Sequence, residues 1–199
     1  FMQMRYGLHF MFSNDDLYEN NQFSNNGAGV AVMYSKNVKM AKNTFLQNIG
    51  ASAYGLLLKD ITDSEINHNS FLQNTKGIDM EGSNRIKIEQ NIFEDNGWGI
   101  AIQASCMDNT ITNNNFINNG FDVSTNGKVI LNKFDKNYWD RYSGYDLKKD
   151  GIGDVPHRPL SLMSTLMEQH QGILILMNSF IIHLFDKLER ILPTLTPED

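Results

Sequence analysis

Hydrophobic and polar positions repeat along residues 7–134 in a fixed order. Five copies of the pattern begin at Gly7, Gly29, Gly55, Gly77 and Gly99, so successive copies start 22, 26, 22 and 22 residues apart. Apolar residues stand one and three positions after each glycine, and this alternation predicts a short strand with one buried face. A second apolar column follows at Tyr18, Met40, Ile66, Ile88 and Ile111. The Ser, Asn, Asp and Gly residues between the strands are turn formers.

Every copy closes with the frame Asn-x-Phe-x-x-Asn, and a sixth, shorter copy repeats the frame once more. Stacked phenylalanines would build a continuous aromatic core, and stacked asparagines would hydrogen-bond from coil to coil. We therefore interpret these residues as structural ladders rather than as ligands. The ladder residues are Asn21, Phe23, Asn43, Phe45, Asn69, Phe71, Asn91, Phe93, Asn114, Phe116, Asn132 and Phe134.

The period and the internal pattern together select the fold class. A leucine-rich repeat has a similar period, but it requires a dense leucine frame and commonly a helical segment, and residues 7–134 carry neither. Coils of about 22 residues with two or three short strands and no helix are typical of a right-handed parallel β-helix. The sequence therefore predicts an all-β, right-handed parallel β-helix with a C-terminal amphipathic α-helical appendage.

The chain divides into three predicted regions. Residues 1–136 form the coils, and because they begin inside the repeat pattern we expect an N-terminally truncated β-helix, the C-terminal portion of a longer protein. Residues 137–159 change to an aromatic, Gly-rich and Asp-rich composition and are expected to cap the last coil. Residues 160–199 are expected to form amphipathic helices and a polar tail.

Within the capping segment, residues Asp146 to Asp154 resemble an acidic calcium loop. Lys148 occupies a position where calcium needs a ligand oxygen, and no glutamate closes the loop. Calcium binding is therefore doubtful, and the expected structure is a glycine-rich turn that aspartate side chains hold together.

The C-terminal region has a helical hydrophobic period. Its apolar stripe is wider than one neighbouring element needs, so we expect it to dock on a partner or at a membrane interface. Charged residues interrupt the stripe too often for a membrane-spanning helix. The expected partner-docking residues are Ile173, Leu176, Met177, Phe180, Ile181, Leu184, Phe185 and Leu188.

Charge and cysteine content narrow the function classes. The net charge is −6, the isoelectric point is about 5.3 and no basic cluster occurs, which argues against a nucleic-acid partner. The single cysteine, Cys106, cannot form an internal disulfide. We expect it to occupy a small position on a coil turn.

Three residues near the start of the sequence form a candidate metal site. If Leu8 and Phe10 face the core, strand alternation places His9 and Met11 on the outer face, with Met33 in the column of Met11 one coil later. An imidazole with thioethers is a soft ligand set of the kind that suits Cu(I). Alternatively, these methionines fill irregular gaps and the face packs against a missing segment or a partner.

The outer face also carries acidic and basic residues, which leave an enzymatic role as one possibility. Asp79 and Glu81 alternate outward on one predicted strand, with Lys59 one coil before Glu81, and carbohydrate-active β-helices place acidic and basic groups on such a face. A solvated sheet face is the expected role of these residues. Residues 13–134 carry no nucleophile–base pair and no Cys/His metal spacing, so we do not expect an enzyme.

Three stretches resemble the NosD family. They are MRYGLHFMFS at 4–13, NYWDRYSGYDLKKDGIGDVPHRPLSL at 137–162 and ILILMNSFIIHLFDKLERILPTLTP at 173–197. The resemblance covers essentially the whole chain, and Tyr6, His9 and Met11 fall on the family's YG-x-H-x-M frame. The coils themselves are shared with many sugar-acting β-helices.

The resemblance implies a non-enzymatic periplasmic accessory protein that works with an ABC-type transporter. It implies transient handling of copper, or by an older view sulfur, for the maturation of nitrous oxide reductase. The implied partners are the transporter's membrane subunit, which the C-terminal helices would contact, the reductase and a copper donor protein. A carbohydrate-binding or polysaccharide-degrading β-helix is the alternative function.

Overall fold

The computed structural model describes residues 1–103, 105–127 and 131–160. Within these ranges the chain forms three six-stranded parallel sheets, and each sheet takes one strand from every coil. The first sheet contains β1 (Tyr6–Met11), β4 (Ala28–Met33), β7 (Tyr54–Lys59), β10 (Lys76–Glu81), β13 (Trp98–Ile102) and β16 (Phe121–Thr125). The second contains β2 (Leu17–Glu19), β5 (Lys39–Ala41), β8 (Glu65–Asn67), β11 (Lys87–Glu89), β14 (Thr110–Thr112) and β17 (Lys133–Asp135). The third contains β3 (Gln22–Ser24), β6 (Thr44–Leu46), β9 (Ser70–Leu72), β12 (Ile92–Glu94), β15 (Asn115–Ile117) and β18 (Tyr138–Trp139).

Equivalent positions of successive copies stack in register. On the first sheet Leu8 pairs with Val30, Val30 with Leu56 and Leu56 with Ile78, so the apolar residue after each glycine forms one continuous core column. The copy of 26 residues keeps this register, because its four extra residues lie in the loop before Tyr54. The predicted all-β parallel β-helix is confirmed.

The core is built around a column of aromatic rings. Phe23, Phe45, Phe71, Phe93 and Phe116 are fully buried, and neighbouring rings stack with centroids 4.7–5.3 Å apart. Phe1 extends the column at one end at 5.1 Å, and Trp139 extends it at the other at 4.3 Å. Offset stacking of this kind adds to the apolar burial that stabilises the coil stack.

Buried asparagines form ladders that run beside the aromatic column. The amide N–H of Asn43 donates to Oδ1 of Asn69 at 2.9 Å, and that of Asn69 donates to Oδ1 of Asn91 at 2.9 Å. The side-chain Nδ2 of Asn69 donates to the carbonyl of Met40 at 2.9 Å. The side chains thus satisfy backbone groups at a corner where no strand pairing is available.

The register assigned to the sixth copy from sequence is wrong. Phe134 pairs with Ile111 in the second sheet, and Asn132 accepts from Asn109, so neither belongs to the Asn-x-Phe frame. The sixth frame is Asn137-x-Trp139, because Asn137 Oδ1 accepts from the amide of Asn114 and Trp139 stacks on the aromatic column. The last strand, Tyr138–Trp139, therefore lies inside the segment 137–159 predicted as a cap.

Steric contact explains the repeated glycine. A Cβ added at Gly77 would lie 2.5 Å from the carbonyl oxygen of Gly99 and 3.0 Å from the ring of Phe93. In the last coil the same position is Asp122, and among the described residues no further coil covers it. Asp122 is 5% exposed and its carboxylate accepts from Asn119 Nδ2, and burial raises its pKa to about 6.

Each coil turns at residues in the left-handed region of φ. Examples are Asp63, His68 and Gln73, with φ of 54°, 53° and 54° in one coil. Asn, Asp and Gly tolerate this conformation best, which accounts for the polar composition between the strands.

The segment after the last strand closes the end of the stack. The Tyr142 hydroxyl donates to the carbonyl of Val155 at 2.9 Å, and the His157 ring packs 5.0 Å from that of Trp139. Leu160 is buried and forms an isolated parallel β-bridge with Val123 of β16. Beyond Leu160, the appendage predicted at 160–199 lies outside the described residues, and within the described ranges no helix could cross a bilayer.

Candidate functional site

The outer face of β1 presents the first two candidate ligands. Leu8 and Phe10 pack against the core, whereas His9 and Met11 are exposed, as the alternation of a strand requires. Met11 is 41% exposed. Both side chains are therefore open to a metal ion or to another protein.

Met33 completes the candidate set from the next strand. It pairs in register with Met11 across β1 and β4, so the two residues are neighbours on strands about 4.8 Å apart. The same column then continues to Lys59 and Glu81, whose Nζ and Oε1 atoms lie 2.9 Å apart. The hydrogen bond to Glu81 raises the pKa of Lys59. The column of Met11 and Met33 therefore continues as an ion pair in the next two coils.

Aromatic contacts orient the imidazole of His9. The ring of Tyr6 stacks on it with centroids 5.2 Å apart and an interplanar angle of 28°. The guanidinium of Arg5 lies 5.4 Å from the centroid of Tyr6. Strict alternation would place Tyr6 on the core side with Leu8, but Gly7 interrupts the alternation and Tyr6 lies outside.

The structure therefore brings His9, Met11 and Met33 onto one face of two adjacent strands. Two thioethers and an imidazole suit Cu(I) better than harder cations. Among the described residues no group of three or more His, Cys, Asp or Glu side chains could hold a metal ion. Burial, with smaller contributions from Tyr6 and Asp79, raises the pKa of the Tyr54 phenol from 10.0 to about 12, so this phenol stays protonated well above neutral pH.

The carboxylates considered for sugar chemistry are ion-paired. Asp79 Oδ2 lies 3.3 Å from Lys76 Nζ on the same strand, and Glu81 Oε1 lies 2.9 Å from Nζ of Lys59 on the neighbouring strand. Their side chains are partly exposed, which is the arrangement of a solvated sheet face.

The aspartates of the calcium-like loop bind the loop's own backbone. Asp146 Oδ2 accepts from the amide of Gly151 at 2.9 Å, and Asp150 Oδ1 accepts from the amide of Ile152 at 2.9 Å. Lys148 Nζ lies 3.2 Å from Asp154 Oδ1, where it supplies the positive charge that a cation would bring. These contacts form the Asp-held turn expected from the sequence.

The other residues singled out from the sequence are Cys106 and the expected partner-docking stripe. Cys106 is buried, and burial raises the pKa of its thiol. The expected partner-docking residues lie outside the described residues: Ile173, Leu176, Met177, Phe180, Ile181, Leu184, Phe185 and Leu188.

Sequence reasoning missed an aromatic pair beside the methionines. Phe12 and Tyr34 follow Met11 and Met33 directly, and their rings stack with centroids 5.1 Å apart. Both stand five residues after the glycine of their copy, so aligning the copies at that offset could have found them.

These observations define a class: a parallel β-helix protein with a histidine and two methionines on the outer face of two neighbouring coils. The family model for the periplasmic copper-binding protein (NosD) matches residues 1–144, and the chain belongs to the NosD family.

Two curated relatives are named "Probable ABC transporter binding protein NosD". The one from Stutzerimonas stutzeri is 28% identical and the match covers 83% of this chain and 41% of the relative. The one from Pseudomonas aeruginosa is 32% identical, over 54% of this chain and 26% of the relative. The chain thus spans less than half the length of either relative.

A solved structure shares the fold. A mutant of the periplasmic alginate epimerase AlgG superposes with a TM-score of 0.50 at 12% identity, covering 69% of this chain and 48% of that one. At this identity the likeness shows the parallel β-helix alone.

Proposed function

We propose that this protein is a periplasmic accessory protein that binds Cu(I) transiently and assists copper delivery to nitrous oxide reductase during its maturation. The observation that carries the proposal is the in-register pairing of Met11 with Met33, with His9 exposed on the same face. The family's description as a periplasmic copper-binding protein supports both the metal and the compartment in this proposal.

The three side chains divide the binding between them. The thioethers of Met11 and Met33 are uncharged and soft, so they hold Cu(I) without neutralising it and release it readily to a stronger site. His9 adds a nitrogen ligand, and the stacked Tyr6 ring limits the orientations of its imidazole. Exposure of His9 and Met11 gives a donor or acceptor protein direct access to the ion.

The proposed partners follow from the family and from the chain's appendage. The names of the two relatives support association with an ABC transporter. In this proposal the stripe from Ile173 to Leu188 contacts the transporter's membrane subunit, while the outer face of the first coils exchanges copper with a donor protein and with the reductase.

The alternative is a carbohydrate-binding or polysaccharide-degrading β-helix. The AlgG likeness supports this alternative only at the level of fold. The carboxylates of Asp79 and Glu81, on the face that would carry such chemistry, are each held by a lysine. The accessory, non-enzymatic role is therefore the one we propose.

Competition for Cu(I) with a chromogenic chelator tests the proposal. Full-length protein should compete for the metal, and the His9→Ala/Met11→Ala/Met33→Ala variant should lose that competition while its far-UV circular dichroism is unchanged. The matched control is His68→Asn/Met107→Ala, because Met107 is an exposed methionine of a later coil and Asn fits the φ of 53° at His68. Equal competition by all three proteins would exclude the assigned residues.

A further inference from the structure

The repeats provide an internal comparison for the aromatic pair. The position five residues after each glycine is Phe12, Tyr34, Asp60 and Gly82 in the first four coils. The preceding column changes at the same point, from Met11 and Met33 to Lys59 and Glu81. Two neighbouring outward columns are therefore apolar in the first two coils and become charged or small in the next two.

The backbone at this corner does not favour aromatic residues. Phe12 and Tyr34 have φ of 55° and 51°, and their counterparts Asp60 and Gly82 have φ of 52° and 58°. Aspartate and glycine suit this left-handed region, whereas bulky side chains are rare in it. Coil formation therefore does not require the two rings.

The core does not require the rings either. Phe12 is 73% exposed and Tyr34 is 42% exposed, although they stack on each other. Together with Met11 and Met33 they form the aromatic–methionine patch, which carries no formal charge and is bounded in the third coil by Lys59 and Asp60. Aromatic residues and methionine are enriched where proteins bind each other, and charged residues are depleted there.

We propose that the aromatic–methionine patch is the docking surface for the protein that accepts copper from this chain. This inference rests on the proposed function, because two of the four patch residues are the proposed thioether ligands. A protein that takes Cu(I) from Met11 and Met33 must approach at this point of the coil. The fitting partner presents an uncharged, apolar rim around its own metal-binding residues, so that contact excludes water from the metal during transfer.

The test replaces the rings with residue types that the corner accommodates. Phe12→Asn/Tyr34→Asp gives the first two coils the polar character of the third and leaves His9, Met11 and Met33 in place. Asn and Asp fit the left-handed φ, so the variant should fold with unchanged thermal stability. Ile49→Asn is the matched control, because Ile49 is 67% exposed in a loop away from the patch.

Docking is measured without metal, by fluorescence titration of each labelled full-length protein with metal-free nitrous oxide reductase. The wild type and the Ile49→Asn control should bind with equal affinity, and the double variant should bind at least about tenfold more weakly. Equal binding by all three proteins, or no binding by the wild type, would overturn the inference. Two further measurements test the other occupants of the patch: sedimentation of the wild type alone tests a second copy of this chain, and flotation with phosphatidylglycerol vesicles tests a membrane surface. Self-association or vesicle binding that depends on the rings, without binding to the reductase, would also overturn the inference.

Chelator competition on the same variants separates this inference from the proposed function. The double variant should keep the wild-type Cu(I) affinity, because no proposed ligand has changed. A wild type that binds no copper but docks through the rings would refute the copper-handling role and leave the docking surface standing. A wild type that binds copper but docks equally well without the rings would leave the metal site and remove the docking surface.

Discussion

Asn74 lies in the middle of an asparagine ladder, and its replacement by alanine tests what that ladder contributes. Its Oδ1 accepts from the amide of Asn48 at 3.1 Å and from Asn48 Nδ2 at 2.8 Å. Its Nδ2 donates to the carbonyl of Phe45 at 2.9 Å and to Asn96 Oδ1 at 3.1 Å. Asn74→Ala removes all four hydrogen bonds at a position that is 2% exposed.

The expected cost follows from the groups left behind. The backbone amide of Asn48 and the backbone carbonyl of Phe45 each lose the hydrogen bond that the Asn74 side chain made. A buried polar group without a partner costs about 1–3 kcal/mol. The two side-chain amides on either side also lose a contact. The free energy of unfolding should therefore fall by about 3–5 kcal/mol, which is a large share of a domain's stability.

Urea unfolding at 25 °C, followed by tryptophan fluorescence and circular dichroism, measures this change. Asn67→Ala is the control, because Asn67 lies at the end of β8 and is half-buried; its stability should change by less than about 0.5 kcal/mol. A loss below about 1 kcal/mol for Asn74→Ala would refute the ladder as a major source of stability.

Three further predictions use other parts of the coil stack. Gly77→Ala should lower the free energy of unfolding by about 1–3 kcal/mol, because the new Cβ meets a backbone oxygen at 2.5 Å. Gly50→Ala is the control and should be neutral, because its nearest contact is at 3.5 Å. Equal losses of stability in urea unfolding would contradict the steric explanation. Burial raises the pKa of Asp122 from 3.8 to about 6, so its contribution to stability is present below pH 3.8 and is lost as pH rises through about 6. Asp122→Asn should remove about 2 kcal/mol of this pH dependence between pH 4 and pH 7. An unchanged profile in pH-dependent urea unfolding would exclude the burial effect. Burial also raises the pKa of the Cys106 thiol, so Ellman's reagent should react with this thiol only in unfolded protein. Native protein that reacts as fast as unfolded protein would show that the thiol is accessible.

The coil architecture could be predicted because two independent periods agree in the sequence. Alternation of apolar residues after each glycine defines a strand, and the constant distance from Gly to Phe fixes how strands stack. The register predicted for the sixth copy was wrong because Asn132 and Asn137 both start an Asn-x-aromatic frame. Only the hydrogen bonds between coils show that Trp139, rather than Phe134, continues the aromatic column.

Part of the site was predictable for the same reason. A step of 22 residues between Met11 and Met33, with alternation within each strand, is enough to place them in neighbouring outward positions. The Tyr6 contact to His9 was not predictable, because it depends on the break in alternation at Gly7. The stacking of Phe12 on Tyr34 depends on left-handed φ values at the corner, which no hydrophobic pattern encodes.

The most direct test of the account is copper K-edge X-ray absorption on Cu(I)-loaded full-length protein, compared with Met11→Ala/Met33→Ala. The account predicts scattering from two sulfur neighbours and at least one nitrogen neighbour in the wild type, with the sulfur contribution absent from the variant. Copper bound only through nitrogen and oxygen, or sulfur scattering that persists in the variant, would show that the outer face of β1 and β4 is not the copper site.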